Sequence, residues 1–593
     1  MLQGYNNKYL VINLNDHSFE INKIDNQILY DYIGGTGLST YLLNKYSESN
    51  SNSLKPENPL IFCSSLLTGT RLTTTSKFAI ATKSPLTNFI GDSMSSSHFS
   101  DKLKKTGFDA LVIIGKSNKK ILIQISNSNI EFLDASNLWG KTTSQTEFEL
   151  KNKIGNKFSY ACIGPAGENL VRFAGIKNDG GRMAARTGVG AVMGSKNLKA
   201  IAVGGNVEIS IYNPKKINSI RKELSYKSLG ESTEKYRTTG TTINMSLLNR
   251  LEMLPTNNFA ESKFAESEYI EGENLIKNHF DSKAHCANCT IGCEKIFVTN
   301  DNKNSTKSRL EFQTTASLGA NIGISNPNTI IRAAKLCDEL GMDTISTGVT
   351  IAWAIEASQK GHISNNIDIS SESKLLKLIN DIAYRRSLGN LLADGTKLAA
   401  DNIGKKSSSY AMNVKGLEIP SYDPRNLPAL ALALSVSTKG ACHNRASAYD
   451  IDFNNKNIYE DPKIIAKKTK LSEDTSAVID SLIWCKFLRK SFDDFYLESS
   501  NIYSLITGED FSENKMKLAG ERINNLKKLF NINNGWKRSD DSLPERLLKN
   551  SNQKSQIISK NFLDSMINNY YHFREWDNNG NIPKNKLEAL NII

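Results

Sequence analysis

The chain has 593 residues, 39% hydrophobic, 23% charged and 8% aromatic, a balance that excludes disorder, collagen and coiled-coil rods and at this length predicts two to four domains. Lysine and arginine outnumber aspartate and glutamate by 74 to 61, a formal charge of +13; the excess is diffuse and comes with no nucleic-acid motif, so it reads as solvated surface. No apolar run approaches the ~20 residues that span a bilayer, and residues 1–16 hold no signal-peptide core, which points to the cytoplasm.

In chain order, alternation and β-branched content predict strands at 9–13, 60–63, 78–82, 110–115, 121–125, 160–163 and 200–203, separated by Gly, Ser, Thr, Asn and Pro. Strands so frequent, with few helical periods between them, predict a largely antiparallel sheet domain. Beyond Val207 the spacing turns helical, at 217–229, 242–254, 329–340, 344–360, 374–388, 391–403, 464–487, 516–530 and 560–571. Pro420, Pro424 and Pro428 mark a loop between two helical blocks. The expected organisation is α+β, with a β-rich domain at 1–208 and two mainly helical domains at 209–415 and 416–593.

Eight cysteines are too dilute for a disulfide scaffold, yet three crowd into Cys286-Ala-Asn-Cys289-Thr-Ile-Gly-Cys293. Thiolates at this spacing can turn three sulfurs toward one metal centre. Zinc fits if His285 or His279 supplies a fourth ligand; an iron–sulfur cubane fits if a distant cysteine does, and Cys485, inside the helical pattern of 464–487, is available. A second dense stretch runs from Gly181 to Lys196 and holds Arg182, Arg186, Gly188, Gly190 and Gly194. Its glycines could admit an anion to the backbone, with Arg186 gripping phosphate, or could let a turn pack tightly on a sheet; its spacing is neither a dinucleotide fingerprint nor a P-loop.

Taken in order, Gly34-Gly-Thr-Gly-Leu38, Thr68-Gly-Thr70, Lys83-Ser-Pro-Leu-Thr87, Gly91-Asp-Ser93, Gly164-Pro-Ala-Gly-Glu168, Thr187 to Ala200, Leu254 to Phe259, the cysteine run, Leu318-Gly-Ala-Asn321, Asp338-Glu-Leu-Gly-Met-Asp343, Tyr422-Asp-Pro-Arg425 and Gly440-Ala-Cys-His-Asn-Arg445 resemble the aldehyde:ferredoxin oxidoreductase family, from Gly34 to about Phe487. The resemblance implies an N-terminal sheet domain forming the base for the cofactor and two helical domains enclosing it. It implies tungsten, or molybdenum, held by two pyranopterins whose phosphates share a magnesium ion, beside a [4Fe–4S] cluster. Cys286, Cys289, Cys293 and Cys485 match the four cluster ligands, which resolves zinc against iron in favour of iron.

The family's acidic pterin motif is matched by Asp338, Gly341, Met342 (for Leu) and Asp343. A second copy keeps Asp480 and Cys485 but has Ile483 and Trp484 where the family has Gly and Leu. Lys77 stands where an Arg usually touches the cofactor; Ala185, Arg186 and Gly188 fall in the phosphate-side loop; Ser93, Met94 and Ser95 fall in the segment whose carbonyls serve magnesium.

The implied reaction interconverts an aldehyde and its carboxylic acid and passes electrons to ferredoxin or another small iron–sulfur carrier, for which the basic surface offers docking; a homodimer is a family expectation. The family's catalytic Glu is replaced, since its E-Y-E-T reads Glu311-Phe-Gln313-Thr, and an amide cannot take up a proton. His443 or Glu311 could serve as base, although His443 also reads as a core imidazole near Arg445. Gln313 therefore keeps open a non-aldehyde substrate, such as an aromatic acyl thioester or a sulfur compound. An alternative of another class is a non-catalytic electron-transfer subunit or zinc-stabilised binding module. Beyond Phe487 no motif is recognisable, although Tyr570, Tyr571, Phe573 and Trp576 could cap a dry cavity.

Overall fold

The computed structural model describes residues 1–127, 129–301, 304–364, 367–369, 371–404, 406–454, 461–549 and 558–593. Twelve strands up to residue 204 form two six-stranded sheets. The first contains β1 (Lys8–Asn13), β2 (Ser18–Lys23), β3 (Leu60–Cys63), β4 (Lys77–Lys83), β5 (Ile90–Ser96) and β6 (Ala110–Ile114), in the order β2-β1-β6-β3-β4-β5. The second contains β7 (Ile121–Ser126), β8 (Asn129–Asp134), β9 (Ser159–Cys162), β10 (Ile176–Asn178), β11 (Arg182–Ala184) and β12 (Leu198–Gly204), in the order β11-β10-β9-β12-β7-β8. Pairing is antiparallel except for β1 with β6 and β12 with β7. The expected largely antiparallel domain is thus two sheets, each with one parallel pair.

Strands β1, β3, β4 and β6 are apolar on both faces because both faces are covered. Leu10, Ile12, Leu60, Phe62, Phe78, Ile80, Leu111 and Ile113 meet Ile121, Ile123, Ile125, Ile201 and Val203 of the second sheet. The alternate residues Val11, Ile61, Ala79, Ala81 and Val112 pack against the helix Gly35–Tyr46 and against helices near the C-terminus, including Phe495–Thr507 and Glu513–Asn533. A third core surrounds Thr344–Gln359 and Pro428–Val436, both almost wholly buried.

Two expectations are corrected. The helical pattern at 464–487 breaks early: the helix is Pro462–Leu482, it ends at Ile483 with φ +64, and Cys485 lies outside it, ahead of a 3-10 turn at Lys486–Ser491. Ile483, Trp484 and Phe487 keep an apolar rhythm because the cap is itself buried. Tyr570, Tyr571 and Trp576 are packed against one another in the core, their polar atoms bonded to Glu473, Asp541 and Asn525, and line neither the cavity at Gln313 nor the one at Lys415.

In the Gly181–Lys196 stretch, β11 leads through Gly188 into the short helix Val189–Ser195. A Cβ on Gly190 or Gly194 would collide with the carbonyl oxygen of Gly175 or Gly167, so these two glycines serve close backbone packing. Gly194→Ala is expected to destabilise the chain by roughly 1–3 kcal/mol, because a backbone oxygen cannot move aside as a side chain can. Denaturant midpoints compared with Gly230→Ala, at an ordinary φ of −73 with the nearest atom, Lys227 O, 3.2 Å from the added methyl, check this.

Candidate active site and cluster site

Two helices end in the same way. Pro327–Leu340 stops at Gly341 in the left-handed region, and the Met342 N–H returns to Cys337 O at 2.9 Å. Pro462–Leu482 stops at left-handed Ile483, and the Trp484 N–H returns to Ile479 O at 2.9 Å. In each the next amide is pinned by the N-terminal region, Asp343 N to Phe173 O and Cys485 N to Thr74 O. The second acidic motif, eroded in sequence, is intact in backbone. Both place an aspartate in the last helical turn, where the helix dipole disfavours it. Each is surrounded by cations: Lys177, Arg309 and Lys335 at Asp338, and Arg445, Lys486, Lys77 and Lys527 at Asp480. Burial outweighs the cations at Asp338, whose pKa is raised; at Asp480 burial is outweighed, and the pKa falls.

The end of the second helix meets the cysteine run. Thr73 Oγ1 bonds Thr290 Oγ1 at 2.6 Å while Thr74 O holds Cys485 N, so residues 73–74 strap the two cysteine segments together. Cys289 is pushed up to about 11 by burial and by the charges of Cys485 and Cys286; Cys293 rises further, through burial and then Cys485, Glu311, Cys286 and Cys289. Lys77 feels Cys485, Asp480, Cys286 and Cys293. Burial and the neighbouring charges keep Cys289 and Cys293 protonated, a cost that a metal centre bound in place of the protons would relieve. His279 Nδ1 lies 3.0 Å from Val298 O and His285 Nδ1 3.1 Å from Cys286 O, and among the described residues no group of three His, Cys, Asp or Glu is placed to hold a single ion.

Beside the thiols lies a buried nest of charge. Asp92 on β5 pairs with Arg445 (3.0 Å), Lys439 (3.3 Å) and Lys527 (2.8 Å); despite burial these cations hold its carboxyl far below the usual range. Arg445 also grips Asp480, and Lys486 lies 3.4 Å from it. Arg186, itself at φ +83, reaches Asp343 at 3.4 Å and the carbonyls of Glu418 and Ala441 at 2.6 and 2.7 Å. Lys77, Arg186, Lys439, Arg445, Lys486 and Lys527 thus face Asp92, Asp343 and Asp480. Burial, with the neighbouring arginines, depresses Lys439, and Lys486 falls to about 8. So many buried cations fit a polyanion. Nearby, the Ser93 hydroxyl donates to Ala185 O at 2.6 Å and Ser95 Oγ to Asn178 Oδ1 at 2.5 Å. Met94 is partly buried against the first sheet's outer core, and Trp484 stacks edge-on with Phe492 there, its Nε1 unbonded.

Glu311, Gln313 and His443 line one cavity of about 180 Å³ with Phe312, Tyr422 and Tyr449. Gln313 follows the first residue of the helix Phe312–Leu318; its Oε1 accepts from Ser421 N at 2.8 Å, and its buried Nε2 makes no well-formed hydrogen bond, with the Tyr422 hydroxyl its neighbour. His443 opens the short helix His443–Ala446, its ring 5.4 Å from that of Tyr422. Burial, then Arg186, Lys486 and Lys439, push His443 down to about 3, so it is neutral at working pH and is a weak base. The sequence reading missed Asp92, Lys439, Arg445 and Lys527 as site residues. Arg445 ends the run Gly440–Arg445, Lys439 precedes it and Asp92 lies within Gly91-Asp-Ser93, so these three were within reach, whereas Lys527 carries no sequence signal and comes from the segment beyond Phe487, in which no motif is recognisable.

The fold and these clusters together define an oxidoreductase of the iron–sulfur and pterin class. Residues 9–205 match the aldehyde ferredoxin oxidoreductase N-terminal domain, and residues 217–592 match domains 2 and 3 of the same family. The chain belongs to the aldehyde ferredoxin oxidoreductase family, and the match runs well past Phe487. It is 35% identical to the tungsten-containing aldehyde ferredoxin oxidoreductase of Pyrococcus furiosus, over 99% of this chain and 98% of that one, and 36% identical to that of Thermococcus kodakarensis over the same shares. The aliphatic sulfonate oxidoreductase WOR-like subunit of Pyrococcus furiosus is 28% identical over 100% of this chain and 97% of its own length. The active site complex BamBC of benzoyl coenzyme A reductase shares the fold, with a TM-score of 0.87 at 23% identity over 100% and 98% of the chains. No helix among the described residues is long and apolar enough to cross a membrane.

Because His443 is depressed from 6.5 to about 3, the unfolded chain binds more protons between those values, and stability falls as pH drops through that window. His443→Gln is expected to make this acid-side loss shallower in thermal melts of the metal-free protein; an unchanged slope contradicts the assignment.

Proposed function

We propose that this chain is a tungsten-pterin enzyme interconverting a small aldehyde and its carboxylic acid, with electrons leaving through a [4Fe–4S] cluster to ferredoxin. The observation that carries this reading is the convergence of Gln313 and His443 on one cavity: Gln313 Nε2 has only the Tyr422 hydroxyl beside it and no well-formed hydrogen bond, and a carbonyl or carboxylate oxygen supplies an acceptor. The space, about 180 Å³, suits a single ring or short chain and is below the roughly 300–1,000 Å³ of most drug-sized ligand sites.

Cys286, Cys289, Cys293 and Cys485 would hold the cluster. Asp338, Asp343 and Asp480 would receive pterin N–H groups, and Lys77, Arg186, Lys439, Arg445 and Lys486 would receive the phosphates. The Ala185 carbonyl, which takes the Ser93 hydroxyl, retains a lone pair for magnesium. When bound, the tungsten centre supplies two-electron chemistry and the cluster carries the electrons away singly.

The chain's own work is positional. Aldehyde plus water gives acid, two protons and two electrons. Gln313 Nε2 donates to the substrate oxygen, neutral His443 offers a hydrogen bond, and Phe312, Tyr422 and Tyr449 keep the space dry. Asp450 is held by Arg489, so Glu311 is the lining carboxylate left to accept a proton.

A second reading, action on an acyl thioester or a sulfonate, draws on Gln313 standing where the family has a carboxylate, and on the relatives whose names carry those substrates. The small cavity weighs against a whole coenzyme A thioester.

Anaerobically purified protein is expected to contain tungsten and about four iron atoms per chain, with Cys485→Ser losing iron and its visible absorption. It is expected to oxidise members of an aldehyde panel with viologen as acceptor, and Gln313→Leu to lower kcat/KM by about a hundredfold, the usual cost of removing one donor to a reacting oxygen. Inactivity on every aldehyde, relieved by Gln313→Glu, moves the assignment to the second reading. Reduction of ferredoxin is expected to slow steeply as salt rises, through screening of the basic surface; a rate indifferent to salt removes that docking role.

A further inference from the structure

The cavity has two chemically different ends. Phe312 and Tyr422, almost fully buried, stand with Gln313 and His443 at one of them. The wall continues through Tyr236 and Phe487, stacked with ring centroids 4.0 Å apart and planes 19° from parallel, to the exposed residues Lys235 and Lys490. Arg489 stands between them, but Asp450 accepts its Nε at 2.8 Å. Among the described residues Lys235 and Lys490 have no carboxylate partner. Lys235 instead has its ammonium 5.1 Å from the Tyr236 ring centroid. Burial, Lys490 and Arg489 hold its pKa below the ordinary lysine value against Asp450 alone. The remaining carboxylate of the lining, Glu311, interacts with Cys293 and Arg309. One end is therefore neutral and hydrogen-bonding, the middle is a flat aromatic wall, and the mouth carries two uncompensated cations.

We propose that the substrate carries an oxyanion at the end remote from its carbonyl, received by Lys235 and Lys490, with an apolar or aromatic body lying along Tyr236, Phe487 and Tyr449. The inference rests on the carbonyl reading for the inner end, and the mouth can be tested apart from it. A cation pair at the rim selects an anion through charge-assisted hydrogen bonds and long-range attraction. The aromatic stack limits the body to something thin enough to lie against a ring.

Holoenzyme turnover of benzaldehyde, 4-carboxybenzaldehyde and 4-sulfobenzaldehyde, with viologen as acceptor, reads the preference. At least one charged aldehyde is expected to exceed benzaldehyde in kcat/KM by about tenfold, mainly through KM, and which of the two does so identifies the oxyanion. The ratio is expected to fall toward one in the Lys235→Ala/Lys490→Ala double variant and in 0.5 M salt, and to invert in Lys235→Glu, a pattern that a structural role for the lysines would not produce. Equal kcat/KM for all three aldehydes, or a preference that survives the double variant, overturns the inference. Calorimetric titration of the holoenzyme with terephthalate and benzoate reads the mouth without turnover: terephthalate is expected to bind about tenfold more tightly, and the double variant to lose that margin. Failure to oxidise any aldehyde would bring down the carbonyl reading, while equal binding of the two acids would bring down this one.

Discussion

A single buried carboxylate, Asp92, faces three cations from two distant stretches of chain: Lys439 and Arg445 from the loop before and the turn within His443–Ala446, and Lys527 from the long helix Glu513–Asn533. Taking a charge out of water costs several kcal/mol even after relaxation, so the three cannot be there without counter-charge, and one aspartate does not balance them. Asp480 shares Arg445, and Lys486 adds a further cation. The junction between sheet and helices is thus built with a deficit of negative charge. A polyanionic cofactor of the kind proposed above would remove it, and binding it there would stabilise the junction.

The same junction concentrates backbone strain. Thr74 and Ile483, both β-branched, adopt left-handed φ of +65 and +64, and Arg186 lies at +83, conformations that cost on the order of 1–3 kcal/mol each and persist only where the surroundings over-determine them. Thr74 O takes the Cys485 N–H, and Ile483 lies two residues ahead of Cys485. Ile483 is fully buried in the core between the first sheet and the C-terminal helices. Its apolar burial offsets the strain that a glycine would avoid, which is how the second helix end keeps the shape of the first after losing the residue best suited to it.

The sequence was legible where burial imposes a period. β1, β3, β4, β6 and β12 are apolar on both faces, and Pro327–Leu340 and Glu513–Asn533 show clean helical spacing; all were anticipated within a few residues. Strand β5, Ile-Gly-Asp-Ser-Met-Ser-Ser, was not, because its composition is that of a loop. It is a strand because β4 pairs along its whole length and because it must present Asp92 and Ser93 to the site. The break at Ile483 was hidden by an apolar residue in a glycine's place, and Lys527 by a surface-like sequence that folds inward. Each failure falls where local propensity yields to the cofactor junction.

On the proposed function, Gln313 sets the chemistry of the inner cavity. A carboxylate there would put a negative charge beside His443 and would raise the histidine's basicity; the amide leaves His443 to Arg186, Lys486 and Lys439, all of which disfavour its protonation. The two changes act together. On the proposed function, with Gln313 and His443 both neutral, the inner cavity would bind by hydrogen bonds, and proton removal would fall to Glu311, which is near Cys293. On that reading the group holding the substrate oxygen and the group taking the proton would be different side chains, so the charge change of proton transfer would fall on Glu311 and leave the hydrogen bonds of Gln313 and His443 in place.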